Sequence, residues 1–157
     1  MSETITLEQY VLPEFVFLGE SFKTKNELFE KIYSKAFDLK YVREDFLERI
    51  KEREKNFPTG LQLEDMGVAI PHTDAECVLK EFVAVVTTDS VEFKSMEDAN
   101  QSVPVEIAFI LGLNEPHAQL EMLQSLMGLL QNKEILADLK NAKTSEEVMT
   151  LIKTNHL

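Results

Sequence analysis

The apolar and polar positions of this 157-residue chain follow two periods, one typical of strands and one typical of helices. Short apolar runs predict strands at 15–18, 61–63, 68–70, 82–87, 91–93 and 103–111. Apolar residues spaced three and four positions apart predict helices at about 24–39, 43–55, 117–131, 134–139 and 144–152. Helices and strands alternate, and some connections are too short for a helical crossover. The pattern therefore predicts an α/β fold, a single domain over 1–157 with a mixed β-sheet flanked by helices on both faces.

The spacing of particular residue types also predicts where helices start and which face of a helix is buried. Thr24 and Thr144 each precede a helical pattern, and a glutamate follows three positions later, which is a capping-box signature. The helix predicted over 117–131 carries an apolar stripe that we expect to pack in the core, and we expect the same of Met122. The stripe consists of Leu120, Leu123, Leu126, Met127 and Leu130.

Composition excludes several classes of protein. The chain has 28 acidic and 16 basic residues, and this net charge of −12 argues against nucleic-acid binding and against attraction to anionic lipid. The longest apolar stretch, 103–113, is interrupted by Glu106 and is too short to span a bilayer. The N-terminal residues lack a signal-peptide pattern, and the single cysteine, Cys77, suits a reducing compartment as a buried, inert thiol. We therefore expect a cytoplasmic protein with no membrane insertion.

Two histidines and one arginine are candidates for chemistry. His72 ends the hexapeptide 67–72, and Pro71 cannot donate to a sheet ladder, so the strand should stop there and leave His72 at its carboxyl edge. His117 follows Pro116 at a predicted helix start, where free N–H groups favour an anion. With Arg53 nearby, these side chains would suit a dianionic phosphoryl group, with one histidine as nucleophile and the other as hydrogen-bond donor.

The motif residues carry a resemblance to a known family. Arg53-Glu54 followed by Pro58-Thr59-Gly60, and then Gly-Val-Ala-Ile-Pro-His ending at His72, resembles the EIIA component of the bacterial phosphoenolpyruvate-dependent sugar phosphotransferase system (PTS). The similarity is to the fructose–mannitol–galactitol type, covers nearly the whole chain, and is greatest to the galactitol branch. It implies a phosphotransferase component in which His72 accepts a phosphoryl group from phospho-HPr. His72 then passes the group to a cysteine of EIIB, which phosphorylates a sugar or polyol taken up through EIIC.

The same resemblance implies roles for the other motif residues. His117 takes the place of the supporting histidine, Arg53 contacts the phosphoryl group or a partner, and Thr59 makes a structural hydrogen bond. Glu54 accompanies Arg53, but a charge on the outward helix face is an equally good interpretation. No cofactor or metal is implied, and an acidic chain suits the basic docking face of HPr.

Two alternative functions remain open at the level of sequence. The first is a regulatory protein of the same fold, whose phosphorylation state at His72 controls binding to a regulator rather than sugar transport. The second is a metal-dependent hydrolase that uses His72, His117 and nearby carboxylates. The carboxylates considered are Glu64, Asp65, Asp74 and Glu76. No ligand-spaced cluster supports the hydrolase, and the sequence leaves the sugar open.

Overall fold

The computed structural model describes residues 6–157, and within that range it contains five strands and five α-helices. In chain order these are β1 (Val11–Glu20), α1 (Lys25–Asp38), α2 (Phe46–Asn56), β2 (Gly60–Gln62), β3 (Gly67–Ala69), β4 (Phe82–Lys94), β5 (Ser102–Gly112), α3 (Pro116–Leu129), α4 (Lys133–Asn141) and α5 (Ser145–Thr154). Residues 1–5, which belong to the N-terminal segment predicted not to be a signal peptide, lie outside the described range. No helix of the described chain is long and apolar enough to cross a membrane.

The strands form one mixed sheet in the order β1-β4-β5-β3-β2. β1 pairs parallel to β4, and β3 pairs parallel to β5. The β4–β5 and β2–β3 pairs are antiparallel. Because β3 and β5 run in the same direction, their carboxyl ends lie at the same edge of the sheet, and α3 begins just beyond that edge. The predicted mixed α/β fold is confirmed.

Both faces of the sheet are covered, which gives two separate cores. On one face α1 and α2 bury aliphatic and aromatic side chains such as Phe29, Ile32 and Phe46 against the sheet. On the other face α3, α4 and α5 pack residues such as Leu126 and Leu136 against it. This arrangement explains why β4 and β5 read as nearly continuous apolar runs, since a strand buried on both faces has no polar side.

Tertiary pairing makes two strands longer than their apolar runs. β1 extends from Val11 to Glu20 because its neighbour β4 continues alongside it on both sides of the predicted segment. The two extended pieces predicted at 82–87 and 91–93 are one strand, β4, which keeps its pairing with β5 across an irregularity between Thr87 and Val91. The polar residues at this irregularity interrupt the apolar pattern but not the strand.

The two predicted helix starts are correct, with a small difference in the hydrogen bonding. The hydroxyls of Thr24 and Thr144 accept from the backbone N–H groups of Glu27 (3.3 Å) and Glu147 (3.1 Å). The glutamate carboxylates, however, accept from the residue before each cap, from Lys23 N–H at 2.8 Å and from Lys143 N–H at 3.1 Å. Each cap therefore satisfies two backbone donors, as in a capping box, with the second donor one residue earlier.

The buried face of α3 differs from the predicted stripe. Met122 and Leu126 are buried as expected, but Leu120 is 54% exposed and Met127 is 41% exposed. Apolar residues occur on more than one side of this helix, so spacing alone does not determine which side faces the sheet. Packing selects the side that carries Ala118, Met122, Leu126 and Leu129. The core assignment of Leu120 and Met127 was wrong, and both are surface residues.

Candidate functional site

His72 lies at the sheet edge where β3 and β5 end. β3 stops at Ala69, and the chain continues beside β5, where the Pro71 carbonyl accepts a hydrogen bond from Leu111 N–H at 2.9 Å. His72 itself is paired with Leu111 as an isolated parallel bridge. Proline ends the ladder because it has no N–H, but its carbonyl still anchors the segment. The backbone at His72 is therefore held by the sheet rather than by a loose loop.

The tautomer of His72 is set by its own backbone. The Nδ1 atom lies 2.9 Å from the carbonyl oxygen of Ile70, which can only accept a hydrogen bond, so Nδ1 carries the proton. In the neutral ring the lone pair is then on Nε2. Burial lowers the pKa of His72, the Arg53 charge lowers it further, and the Ile70 hydrogen bond acts against both. The hydrogen bond and the lowered pKa both favour a neutral ring whose free lone pair is on Nε2.

Arg53, in the last turn of α2, carries the positive charge that contributes to the lowered pKa of His72. Its guanidinium carbon lies 4.7 Å from the centre of the Phe57 ring, and its Nε atom is buried without a hydrogen-bond partner. Within residues 6–157, no carboxylate lies at ion-pair distance from it. Arg53, Phe57 and Thr73 line one open groove of about 400 Å³, which we call the Arg53 groove.

Glu54, the residue after Arg53, and Thr59 form a buried, hydrogen-bonded pair at the end of α2. Both residues are 3% exposed. The Thr59 N–H donates to Glu54 Oε2 and the Thr59 hydroxyl donates to Oε1, each at 2.7 Å. Burial raises the pKa of Glu54 to about 7, although the two Thr59 hydrogen bonds act in the opposite direction. The pair ties the loop after α2 to the helix.

The outward-facing interpretation of Glu54 was therefore wrong, and the sequence contained a signal for the correct one. Glu54 follows Phe46 by eight residues and Ile50 by four, so all three share one face of α2, and that face is buried. The charge of Glu54 suggested an exposed position, but its spacing placed it with the core residues. A hydroxyl donor five residues later makes the buried position chemically possible.

The glycines of the two motifs are explained by packing. A Cβ atom on Gly60 would lie 2.6 Å from the Lys94 carbonyl oxygen, and one on Gly67 would lie 2.3 Å from the Pro104 carbonyl oxygen. Both contacts are to backbone atoms, which cannot move aside as a flexible side chain could. These glycines let β2 and β3 approach the neighbouring strands and so bring the His72 segment into place.

His117 is the second residue of α3 and is strongly exposed. Its side chain is 74% accessible, and its Nε2 atom lies 2.7 Å from Glu121 Oε1, one turn further along the helix. In the described part of the chain, no contact joins this ring to His72. The structure thus brings together Arg53, Thr59 and His72 around one edge and leaves His117 on the surface of the helix that starts beyond that edge.

Arg49, which the sequence interpretation did not identify, connects α2 to the segment after His72. Its guanidinium donates to Asp45 (2.8 Å), Asp74 (2.9 Å) and Glu76 (2.5 Å). Only the Asp45 contact has a helical spacing visible in the sequence. The same segment contains Cys77, which is buried and donates to the Asp74 carbonyl oxygen at 3.0 Å. Burial raises the pKa of this thiol to about 11, as expected for an inert cysteine.

Comparisons with known proteins identify the family of this chain. A model of the "Phosphoenolpyruvate-dependent sugar phosphotransferase system, EIIA 2" family matches residues 9–155. The chain belongs to this EIIA family. This match confirms the resemblance seen in the motifs. EIIA components are phosphotransferase proteins. Among the described residues, no group of three or more His, Cys, Asp or Glu side chains is placed to hold a metal ion.

Three individual proteins illustrate the similarity. The galactitol-specific EIIA component of Escherichia coli K12 is 31% identical over 126 residues, which cover 80% of this chain and 83% of that protein. The nitrogen regulatory protein IIA-Ntr of Neisseria meningitidis has a TM-score of 0.74 at 25% identity, with 92% and 97% of the two chains covered. The mannitol IIA of E. coli, in complex with phosphorylated enzyme IIB, has a TM-score of 0.73 at 24% identity, with 92% and 97% covered, and shares the fold.

Proposed function

We propose that this EIIA chain is a phosphocarrier that takes a phosphoryl group from phospho-HPr on His72 and transfers it to a cysteine of an EIIB partner. One observation carries the proposal. The Nδ1–H of His72 is bound to the Ile70 carbonyl, which leaves the Nε2 lone pair available. The Arg53 charge acts on this ring, and the buried Nε of Arg53 has no hydrogen-bond partner in the described chain. An imidazole nitrogen can accept a phosphoryl group as a nucleophile, and a guanidinium with unused donors can bind the phosphoryl oxygens.

The reaction is a pair of substitutions at phosphorus. The Nε2 lone pair of His72 attacks the phosphorus of phospho-HPr, the new N–P bond forms, and the HPr histidine leaves with the electron pair of the broken N–P bond. In the second step an EIIB thiolate attacks the same phosphorus, forming an S–P bond and returning the lone pair to His72. No net change occurs in the EIIA chain, and its contribution is positioning and charge stabilisation.

Arg53 would stabilise the charge in both steps. The transferred group carries negative charge into a protein whose own net charge is −12, so an unpaired cation at the site has a large effect. The guanidinium offers several N–H donors in a planar arrangement that matches phosphoryl oxygens. The Nδ1 hydrogen bond to Ile70 keeps the ring orientation fixed while Nε2 gains and loses the phosphoryl group.

The surface near this edge suits protein partners. α3 carries the exposed His117 in its first turn and also exposes Leu120 and Met127. We assign His117 to the support of the phosphoryl group once a partner is bound, when its contact with Glu121 can be exchanged. The E. coli mannitol IIA of this fold is known in complex with phosphorylated enzyme IIB, which supports EIIB as the acceptor here. HPr as donor, an EIIC permease and a cytoplasmic location are parts of the same proposal.

The 31% identity to the galactitol-specific EIIA supports a sugar or polyol system of the galactitol, fructose or mannitol class. The regulatory alternative has support of its own, because IIA-Ntr is a nitrogen regulatory protein of similar shape. In that case His72 would still be phosphorylated, but no EIIB would accept the group. The two functions therefore separate at the second step and not at the first.

The test is a reconstituted phosphorylation. Purified protein is incubated with phosphoenolpyruvate, enzyme I and HPr, and intact mass is measured for wild type, His72→Gln and the matched control His156→Ala, which changes an exposed histidine near the C-terminus. We expect one acid-labile phosphoryl group on wild type and on the control and none on His72→Gln. Full labelling of His72→Gln contradicts the site. Labelling of wild type without transfer to a panel of EIIB proteins favours the regulatory function.

A further inference from the structure

We propose that Phe57 is a positioning residue that holds the Arg53 guanidinium in the Arg53 groove, which is also lined by Thr73, the residue after His72. The contact leaves the N–H donors of Arg53 free for the phosphoryl group. This inference rests on the proposed function, since it concerns the same phosphoryl site. The observation behind it is a contact between a cation and an exposed aromatic ring. The ring of Phe57 lies 4.7 Å from the guanidinium carbon, yet Phe57 is 61% exposed and contributes little to either core.

The loop that carries Phe57 is anchored on both sides. The Phe57 N–H donates to the Arg53 carbonyl oxygen at 2.7 Å, which closes the end of α2. Two residues later Thr59 makes its two hydrogen bonds to the buried Glu54 carboxylate. An exposed aromatic side chain on a loose loop would sample many positions, but this one projects from a short segment with fixed ends. The ring can therefore act as a fixed surface for Arg53.

An aromatic ring holds a guanidinium in a way that a carboxylate cannot. A carboxylate accepts hydrogen bonds from the edge of the guanidinium, as Asp45, Asp74 and Glu76 do for Arg49. A ring attracts the cation to its face and makes no hydrogen bond with the N–H edge. Arg53 thus stays in place with its donors unused, and its Nε remains without a partner.

The contact between Arg53 and Phe57 matters because the chain is acidic. With 28 acidic residues against 16 basic ones, an arginine near the surface would readily find a carboxylate. An ion pair would have to be broken before Arg53 could bind a phosphoryl group, and its charge would be partly neutralised in the meantime. Stacking on Phe57 avoids both effects, so the cation is ready when the phosphoryl group arrives on Nε2.

The exposed ring could instead be a contact for HPr or EIIB, and kinetics separate the two roles. Single-turnover transfer from phospho-HPr is measured over a range of HPr concentrations for Phe57→Leu, Phe57→Tyr and the matched control Phe37→Leu, which changes another exposed phenylalanine. We expect Phe57→Leu to lower the maximal rate about fivefold with an unchanged half-saturating concentration, from a contact of moderate strength. Phe57→Tyr keeps an aromatic face and should stay near wild type, as should Phe37→Leu.

Two further measurements decide whether Phe57 acts through Arg53. In an Arg53→Gln background, Phe57→Leu should cause no additional loss of rate, because no cation remains to be positioned. The His72 titration, followed by NMR without any partner, should show a higher pKa both in Arg53→Gln and in Phe57→Leu, because the depressing charge is removed or moves away.

The inference is overturned by any of three results. These are an unchanged maximal rate in Phe57→Leu, an equal loss of rate in the presence and absence of Arg53, or a His72 pKa that rises in Arg53→Gln but not in Phe57→Leu. Failure of the proposed function looks different, because wild type and Phe37→Leu would then take no phosphoryl group from active HPr. The titration still tests the positioning of Arg53 in that case.

Discussion

Arg49 and Arg53 lie one turn apart on α2, but their guanidinium groups have different partners. Arg49 is bound by three carboxylates, two of which belong to the segment that follows His72. Arg53 has no ion-pair partner in residues 6–157 and lies against an aromatic ring. We therefore expect the same residue type to serve two purposes on this helix. A paired arginine fixes the backbone, whereas an unpaired one keeps its charge and donors for a ligand.

The largest expected difference between the two arginines is in phosphoryl transfer. Arg53→Gln removes the charge and most of the donors of the guanidinium, so we expect the rate of acceptance from phospho-HPr to fall on the order of 10²- to 10³-fold. Arg49→Gln should change this rate by less than about threefold, since exposed ion pairs contribute little. Rapid-quench measurement of the rate of phosphoryl acceptance in both variants tests this prediction. Equal losses in the two would contradict the assigned roles.

Glu54 sharpens the comparison, because it is the acid next to Arg53 in sequence but is buried against Thr59. Its folded-state pKa is raised to about 7 from the ordinary 4.5, so between these values the folded protein keeps a proton that the unfolded chain releases. Stability should therefore fall as the pH rises through this window, by roughly 3 kcal/mol at most. Glu54→Gln removes the effect and can keep both contacts with Thr59, with its amide donating to the hydroxyl.

Urea unfolding of wild type, Glu54→Gln and the exposed control Glu52→Gln over pH 4.5 to 8 tests this prediction. Glu54→Gln should gain stability relative to wild type as the pH rises, and the difference should close at the acid end. Glu52→Gln should run parallel to wild type. A constant difference between Glu54→Gln and wild type across the range would mean that the Glu54 proton is not linked to folding.

The smallest expected effect is a change in local amide exchange when the Arg49 ion pairs are removed. Arg49→Gln should loosen the segment after His72 without unfolding the sheet, because the contacts are exposed and the segment is also anchored at Cys77. Hydrogen exchange at the Cys77 and Val78 amides, which close the short turn at 75–77, should become faster in the variant. High salt should move wild type in the same direction by screening the ion pairs. Identical exchange in both proteins would assign the rigidity of the segment to its backbone alone.

Much of the fold could be predicted because its signals are local. The capping threonines marked the starts of α1 and α5, and the Pro71 ring marked the end of β3. The position of His72 at a sheet edge followed from the same proline. The buried side of α3 could not be predicted in this way, because apolar residues cover more than one side of that helix and only contact with the sheet selects one.

The features of the site can likewise be separated into those set by local sequence and those set by tertiary contacts. The order of residues determined the motif, the helix that carries Arg53, the strand that ends before His72, and the membership in the EIIA family. Only the tertiary structure decided that Glu54 is buried and that Arg49 forms ion pairs with Asp74 and Glu76. It also decided that Arg53 has no ion-pair partner in the described chain and packs against the Phe57 ring. The reason is physical, because caps and strand ends depend on neighbours a few residues away. The pairing of a charge depends on which distant segments the sheet brings to the same edge.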